Sequence, residues 1–181
     1  MLFKKTIDQL FDKTFADEYT KAMALFQEEL SRFVVSKQIV DTIRVFPFKE
    51  LKLQDDPLFF GTVVYNFMDS CMMIITKLFF DNDGDIITIP KLKNQIIQNF
   101  IDQEDKKYYI EHCKKYKDKM KIDESIKKAM QGLRNNLIAH FNKGVAFGSE
   151  KIDALSWDEF NLLEKQVISS FEAISDRKSV V

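Results

Sequence analysis

Between Asp8 and Phe46 neither glycine nor proline occurs, and Phe15, Tyr19, Ala22, Met23, Phe26, Leu30, Phe33 and Val34 recur at three-to-four spacing. That is the period of one helical face, so the pattern predicts a long first helix with Ser36 as its one candidate break. Asp56-Pro57 supplies an N-cap and a proline at the first helical position, opening an apolar helix over 57–80 that Asp81-Asn82-Asp83-Gly84 closes. Thr88 to Pro90 opens a further helix reaching Ile101, and a lysine-dense helix follows from Gln103 to Met120. Asp123 caps the next, about 123–143, which Asn142-Lys143-Gly144 stops; Val145 to Leu155 reads as a loop. Ser156-Trp157-Asp158-Glu159 forms a capping box for a C-terminal helix over about 156–176. Strand-like alternation is almost absent. The expectation is an all-α bundle of about five to seven helices in a single domain, 1–181.

The stretch from Pro57 to Phe80 is apolar on every side and long enough to span a bilayer, but Asn66, Asp69 and Lys77 interrupt it. An acid at mid-span is costly in hydrocarbon. It is therefore expected to be a central helix surrounded by others, with no membrane partner. Met1 to Lys5 carries a positive pair without the apolar stretch of an export signal.

Composition narrows the function classes. A formal net charge of −1 gives the whole molecule no general attraction to polyanions, so any nucleic-acid contact must be local. Cys71 and Cys113 lack close C-x-x-C spacing and are too few for a disulfide framework, which fits buried thiols in a reducing, cytoplasmic setting.

The most informative chemistry lies at 134–140, Arg-Asn-Asn-Leu-Ile-Ala-His. At 100° per residue, Ile126, Ala129, Met130, Leu133, Leu137 and Phe141 fall within an arc of about 120°. Arg134 and His140 border that seam, about 60° to either side of Leu137. Arginine presents a planar fork of donors suited to phosphate oxygens, and histidine both takes and gives protons near neutral pH. One Arg/His pair at this spacing is poor geometry for a single site. Two copies converging across a twofold axis make it sensible, which points to a homodimer.

Arg134, Asn135 and His140 within LRNNLIAHF resemble the hallmark of the HEPN superfamily: arginine, a polar residue, a few positions, then histidine. Met68 to Ile96, MDSCMMIITKLFFDNDGDIITIPKLKNQI, is similar to a block in abortive-infection (U-type) HEPN proteins. Lys77 stands there where arginine is expected, and Phe80 intervenes before Asp81. The likeness covers roughly residues 60–141. It implies a helical-bundle core, a dimer that brings two motifs together and, in many members, metal-independent endoribonuclease activity in phage defence or toxin systems. His140 is then the general acid or base, Arg134 the stabiliser of charge on phosphate oxygens, and Asn135 a positioning donor. RNA is the implied partner, with a neutralising antitoxin as another.

Substrate guidance is expected from Asn136 and from the lysine-rich helix. Seven lysines between Lys106 and Lys121, Lys114 and Lys115 among them, interleave with Tyr108, Tyr109 and Tyr116. Asp81, Asp83 and Asp85 do not make a calcium loop, because glycine falls at the fourth place and Leu92 at the twelfth. No Cys/His ligand set, P-loop or dinucleotide glycine pattern occurs, so neither metal nor cofactor is implied. His112 beside Cys113 reads as a coincidence of position. The competing class of function is a non-catalytic helical dimer that binds a nucleotide, RNA or a partner protein.

Overall fold

The computed structural model describes residues 4–47, 57–80, 86–133 and 155–175. Among them are seven α-helices: α1 (Ile7–Leu10), α2 (Lys13–Val45), α3 (Pro57–Ile75), α4 (Ile89–Asn99), α5 (Gln103–Met120), α6 (Glu124–Leu133) and α7 (Trp157–Ile174). No strand occurs among the described residues; Phe11 and Phe100 form one isolated bridge, with Ile101 N–H donating to the Leu10 carbonyl at 2.9 Å. The fold is all-α, as the periodicity requires.

Local chemistry starts each helix where the sequence places a cap. Asp12 accepts from Phe15 N–H at 3.1 Å, Asp102 from Glu104 N–H at 2.7 Å, and Thr88 from Lys91 N–H at 3.4 Å. At α7 the Ser156–Glu159 capping box is closed in both directions: Ser156 N–H donates to Glu159 Oε2 at 2.7 Å, and Glu159 N–H to Ser156 Oγ at 3.3 Å.

The expected first helix differs in one respect. The break falls at Phe11-Asp12, where Asp12 caps α2, and α2 then runs for 33 residues straight through Ser36. Ser36 is buried within the helix, and the apolar stripe continues past it to Val40, so tertiary packing holds the helix intact.

α2 and α3 form an antiparallel pair. Cys71 donates to the Phe33 carbonyl at 3.8 Å and Lys77 Nζ lies 3.6 Å from Glu29, so α3 descends as α2 ascends. α5 packs along α7, while α4 bridges α2, α5 and α7. Tyr19 at the start of α2 donates its hydroxyl to the Ile174 carbonyl at the end of α7, 3.0 Å away. Gln166 ties α7 to the α5–α6 junction through the Lys121 carbonyl at 2.6 Å. A single cluster of buried apolar side chains joins Leu10 to Ile174.

α3 is not surrounded throughout. Its second half, from Cys71 on, is buried against α2, but Phe59 and Tyr65 in the first half are 57% and 73% exposed. The stretch Phe59–Phe80 is long and apolar enough to cross a membrane by composition, yet its buried second half is a core helix of the bundle. An all-round apolar helix needs neighbours on every side, and in the first half of α3 Phe59, Thr62 and Tyr65 remain exposed.

Candidate functional site

The helix that leads into the Arg-to-His motif is built as its periodicity predicts. Asp123 accepts from Ser125 N–H and Ser125 Oγ, each at 3.1 Å, and these bonds hold its carboxyl below the usual carboxylate range. α6 then buries Ile126, Ala129 and Met130, three members of the expected apolar stripe. Arg134, Asn135, Asn136 and His140, with Leu137 and Phe141 of the same stripe, lie outside the described residues. So do Asp81 to Asp85, the 142–144 stop and residues 145–154 of the expected loop.

The seat of α6 is unusual. α3 ends in a π-helical turn, Thr76–Phe80, and α6 packs against it. Thr76 Oγ1 donates back to the Met72 carbonyl at 2.8 Å, while Leu78 and Phe80 turn into the core. Lys77 stays exposed beside Glu29. A π turn carries an extra residue per turn and is most often found where function fixes a local geometry. No spacing rule signals it, because TKLFF is an ordinary apolar helix ending by composition.

The lysine-rich helix α5 presents a mixed face. Lys114 and Lys115 are exposed, as expected of a phosphate-tracking surface. Lys114 is also paired with Glu111 at 2.5 Å, and that bond is the first cause holding the Glu111 carboxyl down, with Lys107 and Lys115 adding to it. Of the three tyrosines, Tyr108 is exposed and Tyr116 half-buried, but Tyr109 belongs to the core, against Phe100 at 5.4 Å between ring centroids. Tyr109 is therefore corrected from candidate stacking platform to packing residue. α5 turns Tyr109 and Cys113 inward, and Tyr108, 100° round the helix from Tyr109, falls on its exposed side. Burial pushes the Tyr109 hydroxyl well above its ordinary range.

His112 packs among the rings of its own helix. Its ring stacks on Tyr109, 6.4 Å between centroids, and meets Tyr116 tilted by 49° at 5.0 Å, while Lys119 Nζ lies 5.8 Å from the Tyr116 ring. The i, i+3, i+4 spacing of Tyr109, His112 and Tyr116 is the readable signal for this ladder.

A second charged cluster escaped the sequence altogether. Lys37, its side chain 3% exposed, places Nζ 2.7 Å from Asp41 and 3.5 Å from Glu164 of α7. The same ammonium stands over Trp157 at 4.8 Å and Phe160 at 5.5 Å, and Arg44 stacks on Trp157 at 3.7 Å. Lys37 continues the Phe33 stripe at i+4, which placed it inward; what it meets there comes from α7. Cys71 and Cys113 are free and buried, and burial pushes the Cys71 thiol up to about 12 and the Cys113 thiol above its ordinary value. Among the described residues no group of three or more His, Cys, Asp or Glu is arranged to hold a metal ion.

Compared with known proteins, residues 9–176 match the family model HEPN_AbiU2. No curated protein and no solved structure matches the chain.

Proposed function

Because this chain belongs to the AbiU2 family of HEPN proteins, an abortive-infection type, we propose that it is an endoribonuclease that works without a metal ion. Arg134, Asn135 and His140 are its catalytic residues, gathered with those of a second copy in one cleft. RNA is the substrate, and a cell carrying such an effector requires a partner that neutralises it. The match over residues 9–176 carries this reading, since it spans the Arg134-to-His140 motif, with an imidazole suited to proton transfer and a guanidinium suited to phosphate.

His140 takes the proton of a ribose 2′-hydroxyl or gives one to the departing 5′-oxygen. Arg134 offsets the charge that gathers on the phosphorane oxygens, and Asn135 holds one of them. The 2′-oxygen attacks the adjacent phosphorus as the bond to the 5′-oxygen breaks, leaving a 2′,3′-cyclic phosphate and a free 5′-hydroxyl. DNA, lacking the nucleophile, is spared. The buried stripe of α6 supports the scheme by fixing the stem of the motif helix against the bundle.

The test is cleavage of single-stranded RNA by the purified chain in EDTA, beside His140→Ala with an unchanged circular dichroism spectrum. Acid or base assistance supplies roughly 10²- to 10⁴-fold, so the variant is expected to lose at least about 100-fold and its toxicity on expression. Undiminished cleavage by His140→Ala removes the scheme. Absence of any cleavage by the parent protein leaves a binding module instead.

A further inference from the structure

We infer that one flank of α5, carrying Tyr116, His112, Lys119 and Lys115, is a contact for single-stranded RNA other than the Arg134-to-His140 motif. This deepens the proposed function and rests on it only for RNA as the ligand; it names the form of RNA that is taken and the side chains that take it.

Charge is segregated along this chain. Residues 106–121 hold seven lysines against Glu111 and Asp118, a balance of +5, while the rest holds 20 lysines and arginines against 26 acids, a balance of −6. A molecule of net charge −1 that sets such an excess of cations on one helix has a local footprint for a polyanion. The other acids of α5 gather at its start, where Asp105 holds Lys5 at 2.5 Å.

The folded helix decides which lysines can meet a ligand. Glu111 pairs with Lys114 at 2.5 Å, so Lys114, expected from the sequence to meet phosphate, already has a carboxylate. Lys115 and Lys119 are exposed and have no ion-pair partner among the described residues. One turn apart, they stand about 6 Å from each other along the helix axis and on the same side of it.

Rings lie beside those cations. At 100° per residue, Tyr116, His112, Lys119 and Lys115 fall in that order within a sector of about 100°, bordering the inward line of Tyr109 and Cys113. Tyr116 is half-buried, meets His112 at 5.0 Å and has Lys119 Nζ 5.8 Å from its ring. Asp118 lies about 60° outside the sector. An aromatic side chain held among helix neighbours and accompanied by two ammoniums suits a base on the ring and phosphates on the cations. Duplex RNA keeps its bases stacked and does not offer them to a ring, so the ligand is single-stranded. An acidic protein or an anionic lipid surface uses the lysines alone and leaves the ring without a role.

Fluorescence anisotropy of a labelled 2′-O-methyl oligo(A) of about a dozen nucleotides, titrated with the full chain between about 50 and 200 mM salt, tests the contact. This strand keeps bases and phosphates but lacks the nucleophile, so no cleavage enters. Lys115→Gln/Lys119→Gln is expected to weaken binding by about tenfold and to flatten the salt slope by about 1.4, about 0.7 for each of two phosphates. Tyr116→Leu loses at least about fivefold with the slope retained, while Tyr116→Phe keeps parental affinity. Glu111→Gln/Lys114→Gln, which removes the ion pair without changing net charge, keeps both affinity and slope. Where Tyr116→Leu melts below the parent, a duplex of the same length replaces it as the probe of stacking and is expected to bind the parent chain at least about fivefold more weakly than the single strand. A parent chain that does not bind the strand, or affinity and slope indifferent to the lysine pair, overturns the proposal. So does parental affinity in a folded Tyr116→Leu, or a duplex bound as tightly as the single strand, since the surface then reads charge alone. Polyglutamate bound as tightly as the strand assigns the flank to an acidic protein and overturns it too. A parent chain that cleaves no RNA yet binds the strand in the expected manner refutes the catalytic scheme alone; His140-dependent cleavage with strand binding indifferent to Lys115 and Lys119 refutes this contact alone.

Discussion

Removing the charge of Lys37 is expected to cost the fold far less than removing the two carboxylates around it. The ammonium is 3% exposed and is held by Asp41 at 2.7 Å, Glu164 at 3.5 Å and the faces of Trp157 and Phe160. Its partners are better placed: the Asp41 side chain is 45% exposed and that of Glu164 28%. In Lys37→Met the apolar stem is kept, both carboxylates regain water, and stability changes by no more than about 2 kcal/mol in either direction. In Asp41→Asn/Glu164→Gln the ammonium stays buried without a counter-charge, a lesion worth about 3–5 kcal/mol. For a chain of this size 1 kcal/mol moves the melting temperature by about 2–4 °C, so the double variant should melt at least about 6 °C below the parent. Thermal melts followed by circular dichroism read both numbers. If Lys37→Met proves the more damaging of the two, the cluster acts through packing and the electrostatic account of it is wrong.

Ser156→Ala removes the capping box of α7 and should lower stability by about 0.5–2 kcal/mol in urea titration; an unchanged midpoint argues that α7 is held by its buried face alone. The Ser156 hydroxyl and N–H hold the Glu159 carboxyl below its ordinary value in the folded chain, so this pair stabilises above the unfolded carboxylate range and its contribution fades as pH falls through the folded value. The stability difference between parent and Ser156→Ala should accordingly narrow in acid, and a constant difference from neutral pH to pH 3 contradicts the assignment. Cys71 and Cys113 should resist a thiol reagent at pH 8 in the native chain and react together on unfolding, because burial keeps both as neutral thiols; fast native labelling of either refutes the packing described for it. If α5 guides RNA, charge reversal at Lys114 and Lys115 should flatten the salt dependence of RNA binding by about 0.7 for each phosphate that is no longer neutralised, whereas an unchanged slope makes the pair a solvated surface.

The linear pattern was enough for most of the helical skeleton. The expected caps at Thr88, Asp123 and Ser156, like those the structure adds at Asp12 and Asp102, each act on groups two or three residues away, so their effect lies in adjacent letters. The inward stripe of α6 was legible for the same reason, since a helix repeats its facing every three to four residues. The motif residues Arg134, Asn135 and His140 were recognisable as chemistry, and the family match over residues 9–176 agrees with the resemblance they carry.

What the letters could not convey is which surfaces meet. Ser36 looks like a break until Val40 and buried Lys37 are seen packed on the bundle, and an apolar α3 looks uniformly central until Phe59 and Tyr65 of its first half are found exposed. Tyr108 and Tyr109 differ in fate only because α5 lies against α4 and α7 with one of its faces. The partners of Lys37 stand four residues away in one case and 127 away in the other, and the π turn under α6 appears only in the folded helix pair. Short-range hydrogen bonds and periodicity are properties of neighbouring residues, so they survive in the sequence. Desolvation, ion pairing across helices and the seat of α6 depend on distances between segments remote in the chain, and those are set when the helices pack.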